Sequence, residues 1–229
     1  MEYASRFMGV LLMLMTIGGL IVAGVLLAFS LIMKKAWLTK FTLGGVVVWF
    51  VFYAAMLIGL SLTSTETILA VNEAKAYCGF YLDCHMHTAV TGVRTAKQIG
   101  DRTANGTYYI VKVKVSSDAR NPNIAFRLLK PKADVTDAAG QTYTRATAAE
   151  SLLPTAGVEL GQDIKGSQTI EKEIVFDLAE TAANPKLLIT EGYGIDKVIE
   201  AVLVGDEDSI CHKHTYFNIT EQNDTTGVK

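Results

Sequence analysis

The 229-residue chain has no surplus of basic charge: 21 Lys and Arg stand against 23 Asp and Glu, for a net charge of −2. No basic face offsets phosphate, which argues against nucleic acid as a partner. Charge is missing altogether from two long stretches, residues 7–33 and 41–63. Each exceeds the roughly 20 apolar residues needed to cross a hydrocarbon layer of about 30 Å. A span without a charged residue carries no proton relay or ion path, so the pair is expected to be an anchor rather than a transporter. No small-residue cleavage site follows the first run, which ends Ser30-Leu31-Ile32-Met33-Lys34-Lys35 and is too long for the apolar core of a secretory signal. It is read as a retained transmembrane helix. Downstream, no long amphipathic helix pattern and no strand–helix alternation is evident, which excludes a nucleotide-binding α/β domain.

The loop between the two apolar runs holds Lys34, Lys35 and Lys40 and no acid. The positive-inside rule places it in the cytoplasm, with both termini and the whole C-terminal part outside. Trp37 in that loop suits an interfacial anchor, whereas Trp49 lies within the second span. Gly19/Ala23 and Gly24/Ala28 are small pairs at a spacing that permits close helix approach, although Gly and Ala are common in any membrane helix. The expected organisation is a two-helix anchor over residues 1–64, a linker or helical extension over 65–77, a β domain over 78–220 and a polar tail over 221–229.

The β domain announces itself by alternation. Across residues 107–115, Tyr109, Val111, Val113 and Val115 share one face and Lys112 and Lys114 the other, the period of a strand with one wet side. Asn105-Gly106 before it is a turn signal. Further strands are expected at 124–129, 141–144, 168–176, 186–190, 197–204 and 210–219, with turns at Asn121-Pro122, Ala139-Gly140, Gly161, Gly166, Asn184-Pro185 and Gly205-Asp206. Residues 146–153 form a short helix or a loop. Seven or more short strands at this spacing indicate an antiparallel sandwich.

Three stretches carry a resemblance over most of residues 88–220. They are the long strand Gly106-Thr107-Tyr108-Tyr109-Ile110-Val111-Lys112-Val113-Lys114-Val115, the Asp137-X-X-Gly140-X-X-Tyr143 hairpin, and Val175-Phe176-Asp177 before Pro185-Lys186-Leu187-Leu188-Ile189. In this order they resemble the telokin-like, immunoglobulin-type β-sandwich family of unknown function found in bacterial lipoproteins and membrane-anchored proteins. The resemblance implies an all-β, antiparallel immunoglobulin-like sandwich behind the transmembrane hairpin, with a bacterial inner membrane as the favoured setting. It assigns no function, since one fold hosts many.

Every cysteine and histidine lies in two short segments, Cys78 to His87 and Cys211 to His214, and Cys-His-X-His occurs in both. Regular strands would put His85 and His87 on one face opposite Cys84 and Met86, and His212 and His214 opposite Cys211 and Lys213. If these segments are the first and last strands of the sandwich, they are neighbours. Three arrangements stay open. A Cys84–Cys211 disulfide would staple the end strands. Thiolates and imidazoles, with Met86 as a weak donor, would bind copper, or zinc second, through His85, His87, His212, His214, Cys84 and Cys211. A local Cys78–Cys84 bridge would leave Cys211 over, as an odd cysteine count requires of any single-disulfide scheme.

Hydrolytic chemistry has less support, because Asp83, Cys84 and His85 are strand neighbours whose side chains point apart. Asp206-Glu207-Asp208 is more simply a hairpin tip than a calcium site. No catalytic residue is assigned. Sequons at Asn105, Asn218 and Asn223 matter only in a glycosylating host. The expected function is metal handling, copper favoured, by a membrane-anchored extracytoplasmic domain near membrane redox complexes. The alternative is a non-catalytic structural subunit of a larger membrane complex, its end strands held by a disulfide.

Overall fold

The computed structural model describes residues 2–78 and 84–220, with side chains from residue 7 onward. Residues 79–83, and the polar tail expected over 221–229, lie outside the described residues. The chain divides into two compact units, one of Met1–Thr65 with Gly194–His214, the other of Glu66–Tyr193 with Thr215–Lys229.

The first unit is built on helices α1 (Glu2–Ile32) and α2 (Ala36–Thr63). Both are long and apolar enough to cross a membrane, and almost none of their side chains is buried within the protein. The turn between them is tighter than the expected loop. Lys34 adopts a positive φ of 51°, and Trp37 and Lys40 fall inside α2. Two pairs of polar side chains are bonded to each other across the apolar helices, as hydrocarbon favours. The Trp49 indole N–H donates to Thr16 Oγ1 at 3.0 Å, and the Ser30 and Thr39 hydroxyls meet. A Cβ on Gly19 or Gly24 would touch nothing within 4 Å, so these are not close-packing glycines. Gly9 is: a Cβ there would come within 2.1 Å of the Val204 carbonyl oxygen.

That carbonyl belongs to the C-terminal part of the same unit. The expected strand over 197–204 is instead helix α4 (Gly194–Val202), followed by a turn-rich segment to His214. Ile195, Val198, Ile199 and Val202 recur at helical spacing, and this period of 3.6 outcompetes the β-branched composition that suggests a strand.

The second unit is a β-sandwich. Its strands are β1 (Thr67–Leu69), β2 (Ala74–Tyr77), β3 (Met86–Ile99), β4 (Arg102–Ser117), β5 (Ala125–Phe126), β6 (Lys132–Thr136), β7 (Thr142–Thr144), β8 (Ile164–Lys165), β9 (Thr169–Leu178), β10 (Lys186–Thr190) and β11 (Thr215–Asn218), with helix α3 (Thr147–Glu150) before β8. One sheet runs β2-β3-β4-β9 and a second β1-β11-β10-β6-β7, β5 and β8 pair separately, and every pairing is antiparallel except β1–β11. The helical extension expected after the second span is therefore β1 and β2. A turn with Asn72 at φ 69° separates them, and pairing with β11 and β3 overrides local helix propensity.

Val111, Val113 and Val115 of β4 face a core shared with Val90, Ile174, Phe176, Val135, Leu187, Ile189 and Phe217 of both sheets. On the other face of β4, Tyr108 and Ile110 pack with Ala149 and Leu153 at α3. Further along that face Lys112 pairs with Glu171 in solvent. The alternation expected of this strand is thus correct at its centre.

Two motif features acquire a physical cause. Asp137 accepts the backbone N–H groups of Ala139 and Gln141 through Oδ1 and the Tyr143 hydroxyl through Oδ2, while Gly140 takes a φ of 79°. This is why Asp, Gly and Tyr occur at that spacing in the β6–β7 hairpin. Asn105-Gly106 is not a turn; it lies inside β4. Asp177 of β9 accepts from the backbone N–H of both residues and from the Asn105 amide, and a Cβ on Gly106 would come within 2.0 Å of the Leu178 carbonyl oxygen. The β3–β4 reversal is made by Gly100 and Asp101, with Gly100 at φ 57°.

Candidate histidine–carboxylate site

The β2–β3 hairpin sets Tyr77 directly opposite Met86, so the chain leaving Tyr77 and the chain arriving at Met86 run side by side. Cys78 and Cys84 lie where these segments meet and form a disulfide, with Cα atoms 4.0 Å apart. This settles the cysteine pairing and corrects two expectations. Cys84 does not bridge to Cys211, and it is not a thiolate donor for a metal, since a disulfide sulfur has no free thiolate. Cys211 is a free, exposed cysteine.

From Cys84 the chain alternates as expected. Cys84, Met86, Thr88 and Val90 are buried on the core side. His85 and His87 share the opposite side and converge on Asp118, the residue just beyond β4, whose backbone N–H donates to the His85 carbonyl at 3.1 Å. His85 Nδ1 lies 2.8 Å from Asp118 Oδ1, and His87 Nε2 lies 3.2 Å from Oδ2. A carboxylate only accepts, so Nδ1 of His85 carries the hydrogen. The His87 contact is an ion-pair approach rather than a directed hydrogen bond, because Nε2 is buried without a well-aligned partner. The His85 ring also meets Phe126 of β5 edge-on, with centroids 5.3 Å apart. The hydrogen bond from His85, reinforced by His87, holds the Asp118 carboxyl below the usual aspartate range against a smaller opposing effect of desolvation. Asp118 was not singled out from the sequence. It is 31 residues or more from either histidine, and only the β3–β4 register joins them.

The second Cys-His-X-His segment is not in a strand at all. The expected strand over 210–219 is reduced to β11, which begins after His214. Cys211 sits at φ 66°, outside the extended region, so no alternation applies to it. His212 Nδ1–H donates to the Lys213 carbonyl at 2.8 Å, and His214 Nδ1 approaches Asp208 Oδ1 at 3.7 Å. The Lys213 backbone N–H donates to Ser64 Oγ at the end of α2. His212 and His214 belong to the helical unit, whereas His85 and His87 belong to the sandwich. The four-histidine centre is therefore not assembled within either unit. Among the described residues, no group of three or more His, Cys, Asp or Glu side chains is arranged to hold a metal ion. The same holds for Asp206-Glu207-Asp208. Asp206 caps its own turn through the Asp208 backbone N–H, and both Asp206 and Glu207 are buried.

A second ionic cluster in the sandwich was also missed in the sequence. Lys172 of β9 is only 1 % exposed; its Nζ reaches Glu150 Oε1 at 3.1 Å and the carbonyls of Thr155 and Ala156. Arg145 grips the same carboxylate through Nε and a second guanidinium nitrogen. Burial pushes the Glu150 carboxyl up, but Arg145 and Lys172 together bring it below the ordinary glutamate range. This cluster ties α3 to β9 and is structural. Nearby, an open cleft of about 330 Å³ is lined by Arg127, Lys130, Arg145, Glu159 and Tyr193, with Lys130 Nζ 4.8 Å above the Tyr193 ring.

No protein family and no curated protein matches the chain. Among solved structures, it is similar to MPT63, a secreted protein from Mycobacterium tuberculosis, at 10 % identity and a TM-score of 0.43, over 69 % of this chain and 99 % of that one. It is also similar to the yjhA protein from Bacillus subtilis, at 11 % identity and a TM-score of 0.40, over 67 % and 100 %. An uncharacterized β-sandwich protein from Clostridium difficile 630 aligns at 7 % identity and a TM-score of 0.37, over 69 % and 96 %. At this level of similarity none of them bears on what the chain does.

Proposed function

We propose that this chain is a membrane-anchored, non-catalytic protein whose immunoglobulin-type, telokin-like sandwich stands outside the cytoplasm as an accessory or structural subunit beside a larger membrane complex. The single observation that carries the anchoring is the α1–α2 pair, two hydrocarbon-length helices whose apolar side chains are left uncovered by the rest of the protein. Lys34, Lys35 and Lys40 at their connection favour a cytoplasmic turn. The Cys78–Cys84 disulfide favours an oxidising compartment for the sandwich, a bacterial inner membrane facing the periplasm being the favoured setting. An accessory role fits side chains that are committed to structure: the disulfide, the buried Glu150–Lys172 pair and the Asp177 clamp. A reporter fused after Lys229 should read as extracytoplasmic. A cytoplasmic signal there would overturn the reading.

One observation favours a second reading, metal handling with copper first and zinc second. His85 and His87 converge on one carboxylate, with His85 Nδ1 2.8 Å from its Oδ1 and His87 Nε2 3.2 Å from its Oδ2. Binding there would require His85 to release its Nδ1 hydrogen and Asp118 to turn from partner to ligand. His212, His214 and Cys211 belong to the other unit. Metal analysis of the purified full chain separates the two readings. Stoichiometric copper lost on His87→Ala supports the second, and metal-free protein with an intact Cys78–Cys84 bridge supports the first.

A further inference from the structure

Helix α4 leaves an apolar stripe uncovered. Ile195 is 72 % exposed and Val198 66 %, and Val202 completes the line at positions i, i+3 and i+7. Asp196, Lys197 and Glu200 occupy the other side of the helix, since 100° per residue separates the two sets cleanly. The Ile210 backbone N–H donates to the Ala201 carbonyl, and its half-exposed side chain adds to the apolar surface beside the helix.

The depth of this stripe is set by the membrane helices of its own unit. The Tyr53 hydroxyl donates to the Val202 carbonyl at 2.7 Å, and Gly9 of α1 lets the Val204 carbonyl approach its backbone. Higher up, Ser61 bonds Ser209, and Ser64 at the end of α2 accepts the Lys213 N–H. Counted from Lys40, the last lysine of α2, a 30 Å hydrocarbon layer ends after about 20 residues, near Leu60. Tyr53 is then about 10 Å below that boundary. A helix whose C-terminal carbonyl is bonded to Tyr53 cannot stand clear in water.

We infer that α4 is a third membrane contact, an interfacial helix that lies along the headgroup–acyl boundary with Ile195, Val198 and Val202 facing the acyl chains. The inference rests on the anchoring reading above, and lipid is the occupant because Tyr53 and Gly9 hold the C-terminal end of α4 against two helices whose own apolar side chains are exposed. A short amphipathic helix with a sharp polar face is the form such interfacial elements take.

The test uses the full chain with Cys211→Ser, which keeps the Cys78–Cys84 bridge, reconstituted in phosphatidylcholine–phosphatidylglycerol vesicles. Single cysteines at Ile195, Val198 and Lys197, and at Val22 and Val48 in the membrane helices, carry a nitroxide. Collisions with dissolved oxygen and with an aqueous nickel chelate are then compared. At positions 195 and 198 oxygen should dominate at shallow depth, at 197 nickel should dominate, and at 22 and 48 oxygen should dominate at greater depth. Nickel access at 195 and 198 equal to that at 197, with 22 and 48 shielded, overturns the interfacial helix and leaves the anchor standing. Shielding of 195 and 198 from both reagents means that protein covers the stripe, and this also overturns it. Nickel access at 22 and 48 shows that the anchoring reading itself is wrong, and the inference falls with it.

Discussion

The two Cys-His-X-His segments have the same residue pattern and different structures. In the first, the chain runs into β3, so Cys84 and Met86 point into the sandwich while His85 and His87 meet Asp118 outside it. In the second, the chain leaves a turn-rich segment with Cys211 in the left-handed region, and no strand begins until Thr215. Four residues carry too little information to choose a conformation. Their neighbours choose it: a hairpin partner and a buried face for the first, a helix end that supplies Ser64 for the second.

The largest contrast should appear at the X position. Met86→Ala opens a cavity in the main core and should lower stability by about 3 kcal/mol, whereas Lys213→Ala, at an exposed site, should change it by less than about 0.5. Denaturant unfolding of the full chain in detergent checks both; equal effects would mean that the two segments are housed alike. The cysteines come next. Cys84→Ser removes a short-loop disulfide and should cost about 2 kcal/mol, with no further loss when Cys78→Ser is added, while Cys211→Ser should cost less than about 0.5. A Cys211→Ser variant as damaged as Cys84→Ser would contradict the pairing.

Smaller effects are expected at the carboxylates. Asp118→Asn weakens the acceptor shared by two histidines, yet its side chain is 59 % exposed, so at most about 1 kcal/mol is at stake. Asp208→Asn, whose oxygen is 3.7 Å from His214, should fall below that. The smallest signal is the pH dependence. The Asp118 carboxyl is held below its usual value in the folded protein, so its contribution is present above the unfolded value of about 3.9 and is lost as pH falls through the folded one. The stability gap between wild type and Asp118→Asn should therefore close below about pH 4, and added salt should narrow it at higher pH. A gap that persists at acid pH would assign the effect of the substitution to something other than charge.

Much of the sandwich was legible because it rests on local rules. The Val111-Val113-Val115 alternation, the Asp137-Gly140-Tyr143 hairpin and the shared face of His85 and His87 each follow from a period of two or from turn chemistry within a few residues. The errors occur where distant chain decides. Residues 67–77 read as helix-compatible, but they pair with β11 and β3. Asn105-Gly106 reads as a turn, but the Asp177 carboxylate and the Leu178 carbonyl require a glycine inside a strand. For α4 the helical period of Ile195, Val198 and Val202 is present in the sequence, among β-branched residues that equally fit the strand expected at 197–204.

That two uncharged runs suited to hydrocarbon precede a β-rich domain is fixed by composition alone, because a solvent preference summed over about 20 residues needs no partner. The sequence also confines the cysteines and histidines to two segments. Tertiary contacts alone establish that Cys78 takes Cys84, that Asp118 sits between His85 and His87, that Tyr53 holds the last residue of α4 and that Gly9 admits the chain just after it. Each of these depends on strand register or helix contact between residues far apart in the chain, and a register shifted by one residue would turn every side chain to the opposite face.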